Sequence, residues 1–228
     1  STDSFPLFGY GLDDYDALYA AKLDLLLAAN RSERVTWSGP FRGLPLENAL
    51  VVPRPDAPLK IWLGTGGNPE SSIRAGLLGL PVSYGVLGGT TERWVQIADL
   101  YRRAFAQSGH PGTAEVSVAS HGFIAADSSA ARDIYYQHEG RMMGAFAASR
   151  GGSAPPRSYF EAAYGPGGMI MVGGPEEIAG RLVDFHRALG HTRHIIQMDV
   201  GHMPQHLVLE SIRLLGTEVL PRVRAALA

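Results

Sequence analysis

Four short apolar runs, each followed by a stretch with helical periodicity, predict an α/β fold built on a parallel sheet. Two features of the runs strengthen this. The first two strand-like runs, KIWLGTGG and LPVSYGVLGG, end in paired glycines that open directly into helix-like sequence. The helical stretches between the runs are long enough to serve as crossovers that cover the faces of a parallel sheet. Four strands supply about half of an eight-stranded barrel. A doubly wound open sheet has the same periodicity and stays open as the alternative.

The elements follow in order. LDDYDALYAAKLDLLLAAN places Leu12, Tyr15, Leu18, Tyr19, Leu23 and Leu26 at helical spacing, with Asp13 and Asp14 favourable near the N-terminus. The Pro- and Gly-rich stretch from Glu33 to Lys60 predicts a long surface excursion, with a short strand at Ala49 to Val52. KIWLGTGG is the first buried strand; in the helix NPESSIRAGLLG, Asn68 stands as cap and Pro69 at the first position. LPVSYGVLGG is the second strand, and the next helix carries Trp94, Ile97, Ala98, Tyr101 and Phe105 on one face. EVSVASHGFIAA is the third strand, followed by a helix from Asp127 to Arg150. The stretch from Arg150 to Met169 is loop-rich, and MGAFAASRGGSAPPRSYF, Met143 to Phe160, is a lid candidate, with Arg150 or Arg157 available to an anion. A helix from Gly173 to Gly190, a fourth strand at RHIIQMDV and a closing helix complete the order.

The chain of 228 residues, 45% hydrophobic, is expected to form one domain, and its formal net charge of -2 offers no field for nucleic acid or an anionic membrane. With no cysteine there is no disulfide framework, thiolate nucleophile or thiolate metal site, and a cytoplasmic location is the expectation. No apolar run is long enough to span a bilayer, and no leader is visible in STDSFPLFGYG.

LGTGGNPESS is the sharpest local feature. Gly66 and Gly67 bring the backbone close to whatever lies above the strand, and the helix start behind them offers N–H groups and the hydroxyls of Ser71 and Ser72. Such an assembly suits a dianionic phosphate, or serves only as a turn with a helix cap. SYGVLGGTTE repeats the form, and Gly85 leaves one face bare for a flat ring or for a neighbouring side chain. MVGGPEEIAG repeats it again, but Glu176 and Glu177 would repel a phosphate. His186, His191 and His194 lack ligand spacing, and His202 with His206 lacks the Glu of a zincin helix, so no metal site is expected. His121 and His202 follow strands and are acid or base candidates at the open end of a barrel; Asp199 and Gly201 share that end.

Taken together and in order, SFPLFGYGLDDYDALYAAKLDLLL, VTWSGPFR, PLKIWLGTGGNPESSIRAGLLGLPVSYGV, GGPEEIAGRL, IIQMDVGHMP and SIRLLGTEVLPRVR resemble the later half of bacterial luciferase-like monooxygenases. The resemblance implies a (β/α)8 TIM barrel, represented by about its C-terminal half, with residues 1–228 forming a single luciferase-like domain that lacks the first strands. It implies reduced FMN, or in some branches F420, at the C-terminal face, and a monooxygenase or oxidoreductase acting on a small organic substrate. Gly66, Gly67, Asn68 and Ser71 would hold the phosphate, and the backbone at Ser83, Tyr84 and Val86 would line the ring. No catalytic residue is assigned. A non-catalytic flavin-binding relative is an alternative. The expected partners are a substrate, a flavin reductase and further copies of the chain, at least a dimer, because a half barrel exposes strand edges and core.

Overall fold

The computed structural model describes residues 4–165 and 167–228; residues 1–3, where the search for a leader begins, lie outside them. The chain divides into two compact units, residues 1–60 and 61–228.

The first unit contains a short helical turn, α1 (Ser4–Leu7), the helix α2 (Tyr15–Arg31) and a two-stranded antiparallel sheet of β1 (Arg34–Trp37) and β2 (Leu46–Leu50). The hairpin corrects the expectation of a surface excursion with one strand at Ala49 to Val52. Gly39, Pro40, Gly43 and Pro45 in its connection mask the pairing from a periodicity search, and the ladder itself is irregular between Val35 and Trp37. Trp37 donates through Nε1 to Asp24 of α2 at 2.8 Å, and Arg54 donates to the carbonyls of Ala29 and Asn30 near the end of α2.

The second unit is a five-stranded, all-parallel sheet of β3 (Leu63–Thr65), β4 (Val82–Gly85), β5 (Val116–Ile124), β6 (Met171–Gly173) and β7 (Arg193–Gln197). Its helices are α3 (Pro69–Leu77), α4 (Thr91–Ser108), α5 (Ser128–Ser149), α6 (Arg157–Tyr164), α7 (Pro175–Leu189), α8 (Gln205–Leu214) and α9 (Leu220–Leu227). The order runs β3–β4–β5, and β5 is shared: Ser117 to His121 pair with β7, and Gly122 to Ile124 with β6. Five parallel strands replace the expected four. The missed one, β6, is three residues long and follows a glycine-rich loop, so it shows no period of its own.

Alternation along the strands assigns the two faces. Val82, Tyr84, Val116 and Val118 are fully buried. Their neighbours of opposite parity form cross-strand rows, Gly64–Ser83–Ser117–Arg193 and Gly85–Ala119–Ile195. On that second face Gly64 is exposed and Ser83, Gly85 and Ala119 are half-buried. The closing helix is interrupted by a π-helical turn, Leu215–Val219. Pro221 lacks an N–H and crowds the carbonyl four residues back, which a wider turn relieves.

Candidate functional site

The turn after β3 is built by side chains that satisfy one another. Asn68 has extended backbone and its Oδ1 accepts from the N–H of Ser71 at 3.0 Å, while Pro69 opens the helix. The Asn68 N–H donates to Thr65 Oγ1 at 3.3 Å, and Ser72 Oγ donates to the Asn68 carbonyl at 3.0 Å. Asn68 is therefore the cap that the sequence predicts, and its Oδ1 and the Ser71 N–H are already paired with each other. Gly67 sits at φ +87° against Trp94, where an added Cβ would come within 2.8 Å of the indole. Gly66 is exposed, with no atom within 4 Å of where a Cβ would stand.

The second glycine turn, Gly88–Gly89–Thr90, lies beside the first because β3 and β4 are neighbours. Thr90 Oγ1 accepts from the N–H of Arg93 to start α4. Trp94, 1% exposed, stands between the turns: its face packs on Gly67, and its Nε1 donates to the Gly88 carbonyl at 2.8 Å. Arg93 spans the same gap, with Nη2 3.5 Å from the Gly67 carbonyl and the guanidinium 5.3 Å from the Trp94 ring centre. No carboxylate pairs with Arg93 among the described residues, which leaves a cation beside two glycine turns. Sequence reasoning missed it. The available signal was its position three residues into a helix that begins at a glycine pair.

Tyr84 has only its backbone on the face opposite its ring. Its side chain is fully buried under α4, against Trp94 at 5.6 Å between ring centres, with its hydroxyl donating to the Ile97 carbonyl at 3.4 Å. Burial pushes this phenol up to about 12, so it stays protonated. Only the backbone of Tyr84 is left to meet a ligand, between the half-buried Ser83 and Gly85.

His121 lies within β5, inside the stretch EVSVASHGFIAA that the sequence predicts as a strand, and does not follow it. It is paired in register with Gln197, whose amide reaches Asp199 at 3.1 Å. His121 Nδ1 is 4.0 Å from Glu139 Oε1 of α5, and the other oxygen of Glu139 accepts the hydroxyl of Tyr164. Tyr164 and Tyr135 pack edge-to-face at 5.5 Å, and desolvation raises both phenols far above their ordinary value. The Tyr135 hydroxyl is buried without a hydrogen-bond partner among the described residues. His202, the other candidate, is exposed in the loop after β7 with φ +59°.

The lid candidate ends in the core at Phe160. Phe160 and Tyr164 of α6 are 2% and 1% exposed and join Phe123, Tyr135 and Val172. Arg157 is held by Asp133 and Glu161, and Arg150 lies over Phe146 at 4.1 Å, so both arginines are already engaged. The histidines before and within β7 form an internal chain: Ser120 Oγ to His194 Nε2 at 2.9 Å, and His194 Nδ1 to His191 Nε2 at 3.3 Å. Burial depresses His191 to about 4 and His194 to about 3, so both are neutral at pH 7. Among the described residues no cluster of three or more His, Cys, Asp or Glu has the arrangement of a metal site. None of their helices is long and apolar enough to cross a membrane.

A parallel sheet with paired glycine turns at adjacent strand ends now meets a match of the luciferase-like monooxygenase family model over residues 1–192. The chain belongs to that family. No curated protein matches it. Among solved structures, the monooxygenase RslO1 from Streptomyces bottropensis is 23% identical with a TM-score of 0.79, over 96% of this chain and 65% of that one. The oxygenating constituent of 3,6-diketocamphane monooxygenase from Pseudomonas putida, a type II Baeyer-Villiger monooxygenase in complex with FMN, is 15% identical with a TM-score of 0.61. That match covers 88% of this chain and 62% of the other. An F420-dependent secondary alcohol dehydrogenase in complex with an F420-acetone adduct is 16% identical with a TM-score of 0.62, over 90% of this chain and 60% of that one. At these identities the likeness establishes the fold, an α/β architecture with the parallel-sheet core of the luciferase-like (β/α)8 barrel. This chain spans less than two thirds of the length of each of the three.

Proposed function

We propose that residues 1–228 belong to one luciferase-like domain whose second unit carries the flavin-binding end of an oxidoreductase acting on a small organic substrate, with FMN as the cofactor and monooxygenation as the reaction. The observation that carries this reading is the pair of glycine turns after β3 and β4, braced by Trp94 and accompanied by Arg93. The residues present fit a flavin on two counts. Gly66 leaves open space where a phosphate would approach, and Gly64, Ser83, Gly85 and Ala119, which share one face of the sheet, offer small side chains to a flat ring.

In this reading Gly66, Gly67, Asn68 and Ser71 frame the phosphate, and Arg93 supplies the charge that a dianion needs. Gly67 and Asn68 shape the turn from within, because their own groups are occupied by Trp94 and by the helix cap. The backbone at Tyr84 and Gly85 meets the ring, and Trp94 fixes the spacing between the two turns. When bound, the reduced flavin would supply the electrons for oxygen or substrate chemistry; the protein's part is to position and to exclude water. A separate flavin reductase as electron source and self-association to at least a dimer complete the proposal.

Titration of the chain with oxidised FMN and, separately, with F420, followed by quenching of cofactor fluorescence, tests it. Saturable FMN binding that Arg93→Ala weakens supports the reading. Selective F420 binding transfers the site to a hydride-moving oxidoreductase, and absence of binding to either rejects the site.

A further inference from the structure

We propose that His121 is a proton acceptor facing the ligand at this site and that Glu139 is its positioning residue, holding the proton on Nδ1 so that Nε2 is free to accept. The inference rests on the flavin-site reading only for the identity of the ligand beside it.

The argument begins with Glu139. It lies within α5, 7% exposed, and a carboxylate so placed needs partners. Tyr164 satisfies Oε2. Oε1 faces His121 Nδ1 at 4.0 Å, and among the described residues no Lys or Arg pairs with this carboxylate. That distance is just outside hydrogen-bond range, and contacts of this type shorten when a ligand closes the site. The charged oxygen therefore has one candidate donor, the imidazole N–H. A proton fixed on Nδ1 leaves the lone pair of the neutral ring on Nε2. Among the described residues no hydrogen bond reaches the His121 ring, and its side chain is 20% exposed.

Position agrees with this. His121 has the same strand parity as Ala119, and Ala119 pairs in register with Gly85. The small-residue face and the imidazole thus belong to one side of the sheet, with His121 nearer the C-terminal end of β5, where parallel barrels carry their chemistry. Glu139 of α5 faces it, and Gln197 of β7 is its register partner; Tyr164 of α6 bonds Glu139, Tyr135 of α5 interacts with Glu139 and Asp199, and Asp199 accepts from Gln197. Both phenols are held protonated by burial. Gly201 lets the loop after β7 close on α5, where an added Cβ would come within 2.4 Å of the His138 backbone and 2.9 Å of the Glu139 N. In the step assigned here, a ligand O–H or N–H gives its proton to Nε2. The imidazolium is stabilised by Glu139 and releases the proton to water through the exposed edge of the ring.

The test uses the full chain with 15N-labelled histidine, His121→Gln to assign the resonance, and FMN as the probe ligand. Neutral His121 is expected as the Nδ1–H tautomer, and Glu139→Gln is expected to shift the balance towards Nε2–H. Diethyl pyrocarbonate labelling, mapped by mass spectrometry, is expected to modify His121, and saturating FMN to slow that at least fivefold while exposed His206 is unaffected. An Nε2–H tautomer in the unaltered chain overturns the pair without any variant having to fold. FMN that binds without protecting His121 overturns its place at the site. If FMN does not bind, the cofactor reading fails by itself, and the tautomer and the labelling of His121 still decide the pair.

Discussion

Gly66 and Gly67 are adjacent, and the structure gives them opposite tolerances. Replacing Gly67 with alanine places a Cβ 2.8 Å from two ring atoms of Trp94 and 3.4 Å from Ile97 Cδ1, at a φ of +87°. The left-handed backbone costs a non-glycine residue about 1–2 kcal/mol. Overpacking adds about 1–3 kcal/mol, and Trp94 has little freedom to yield because its Nε1 is tied to the Gly88 carbonyl. Gly67→Ala is therefore expected to lose about 2–5 kcal/mol. Gly66→Ala meets nothing within 4 Å at an ordinary φ, so its stability should stay within about 0.5 kcal/mol. The two variants should separate in urea unfolding followed by Trp fluorescence, with unchanged slopes and a lowered midpoint for Gly67→Ala alone. FMN titration should reverse the ranking of interest: Gly66→Ala, though fully folded, should bind at least about tenfold more weakly, because the methyl occupies the space assigned to the phosphate. Equal midpoints for the two variants would refute the packing argument. A stable Gly66→Ala chain with unaltered FMN affinity would refute the phosphate assignment.

Asn68→Ala removes the cap of α3 and should cost about 1 kcal/mol in the same unfolding assay. Ser211→Ala strips the buried Ile124 N–H of its acceptor at 2.8 Å and should cost about 1–3 kcal/mol; Ser211→Thr, which keeps the oxygen, should lose less. Arg93→Gln should weaken FMN binding and reduce its salt dependence, with unfolding midpoints little changed, since Arg93 is exposed. His191 and His194 have folded values depressed to about 4 and about 3, below the unfolded value near 6.5. The unfolded chain therefore takes up these protons first as pH falls. Their contribution is full above pH 6.5 and is lost as pH falls towards 4, by at most about 3 kcal/mol for His191. Urea midpoints measured from pH 7 to 4 should drop, and His191→Asn should flatten the slope; an unchanged slope would remove these residues from the acid response.

Much of the second unit was legible because its signals are local. Asn68 followed by Pro69, and the glycine pair before it, foretell the turn after β3, and the structure supplies the reason for Gly67 in the ring of Trp94. The direction of Tyr84 is legible too. Val82, Tyr84 and Val86 share one parity and are all buried, while Ser83, Gly85 and Leu87 share the other. That alternation puts the phenol under α4 and leaves the backbone and Gly85 to the ligand face. The β1–β2 hairpin and β6 were obscured by Pro and Gly at their ends and by their length.

The His121–Glu139 contact was out of reach for a different reason. Glu139 sits in the middle of a helix of 22 residues, where any carboxylate looks like part of a solvated face. Only the docking of α6 through Phe160 and Tyr164, and the closeness that Gly201 permits, bury it. Its environment is thus a product of three separate elements, none of which carries the information alone. The glycine turns and the His121–Glu139 pair differ in what maintains them. The turns are held by nearby sequence and by Trp94, and should survive in any chain that forms β3, α3, β4 and α4. The pair depends on the packing of α5 and α6 against the end of β5, so loosening that packing should abolish the His121 tautomer preference before FMN binding at the turns is affected.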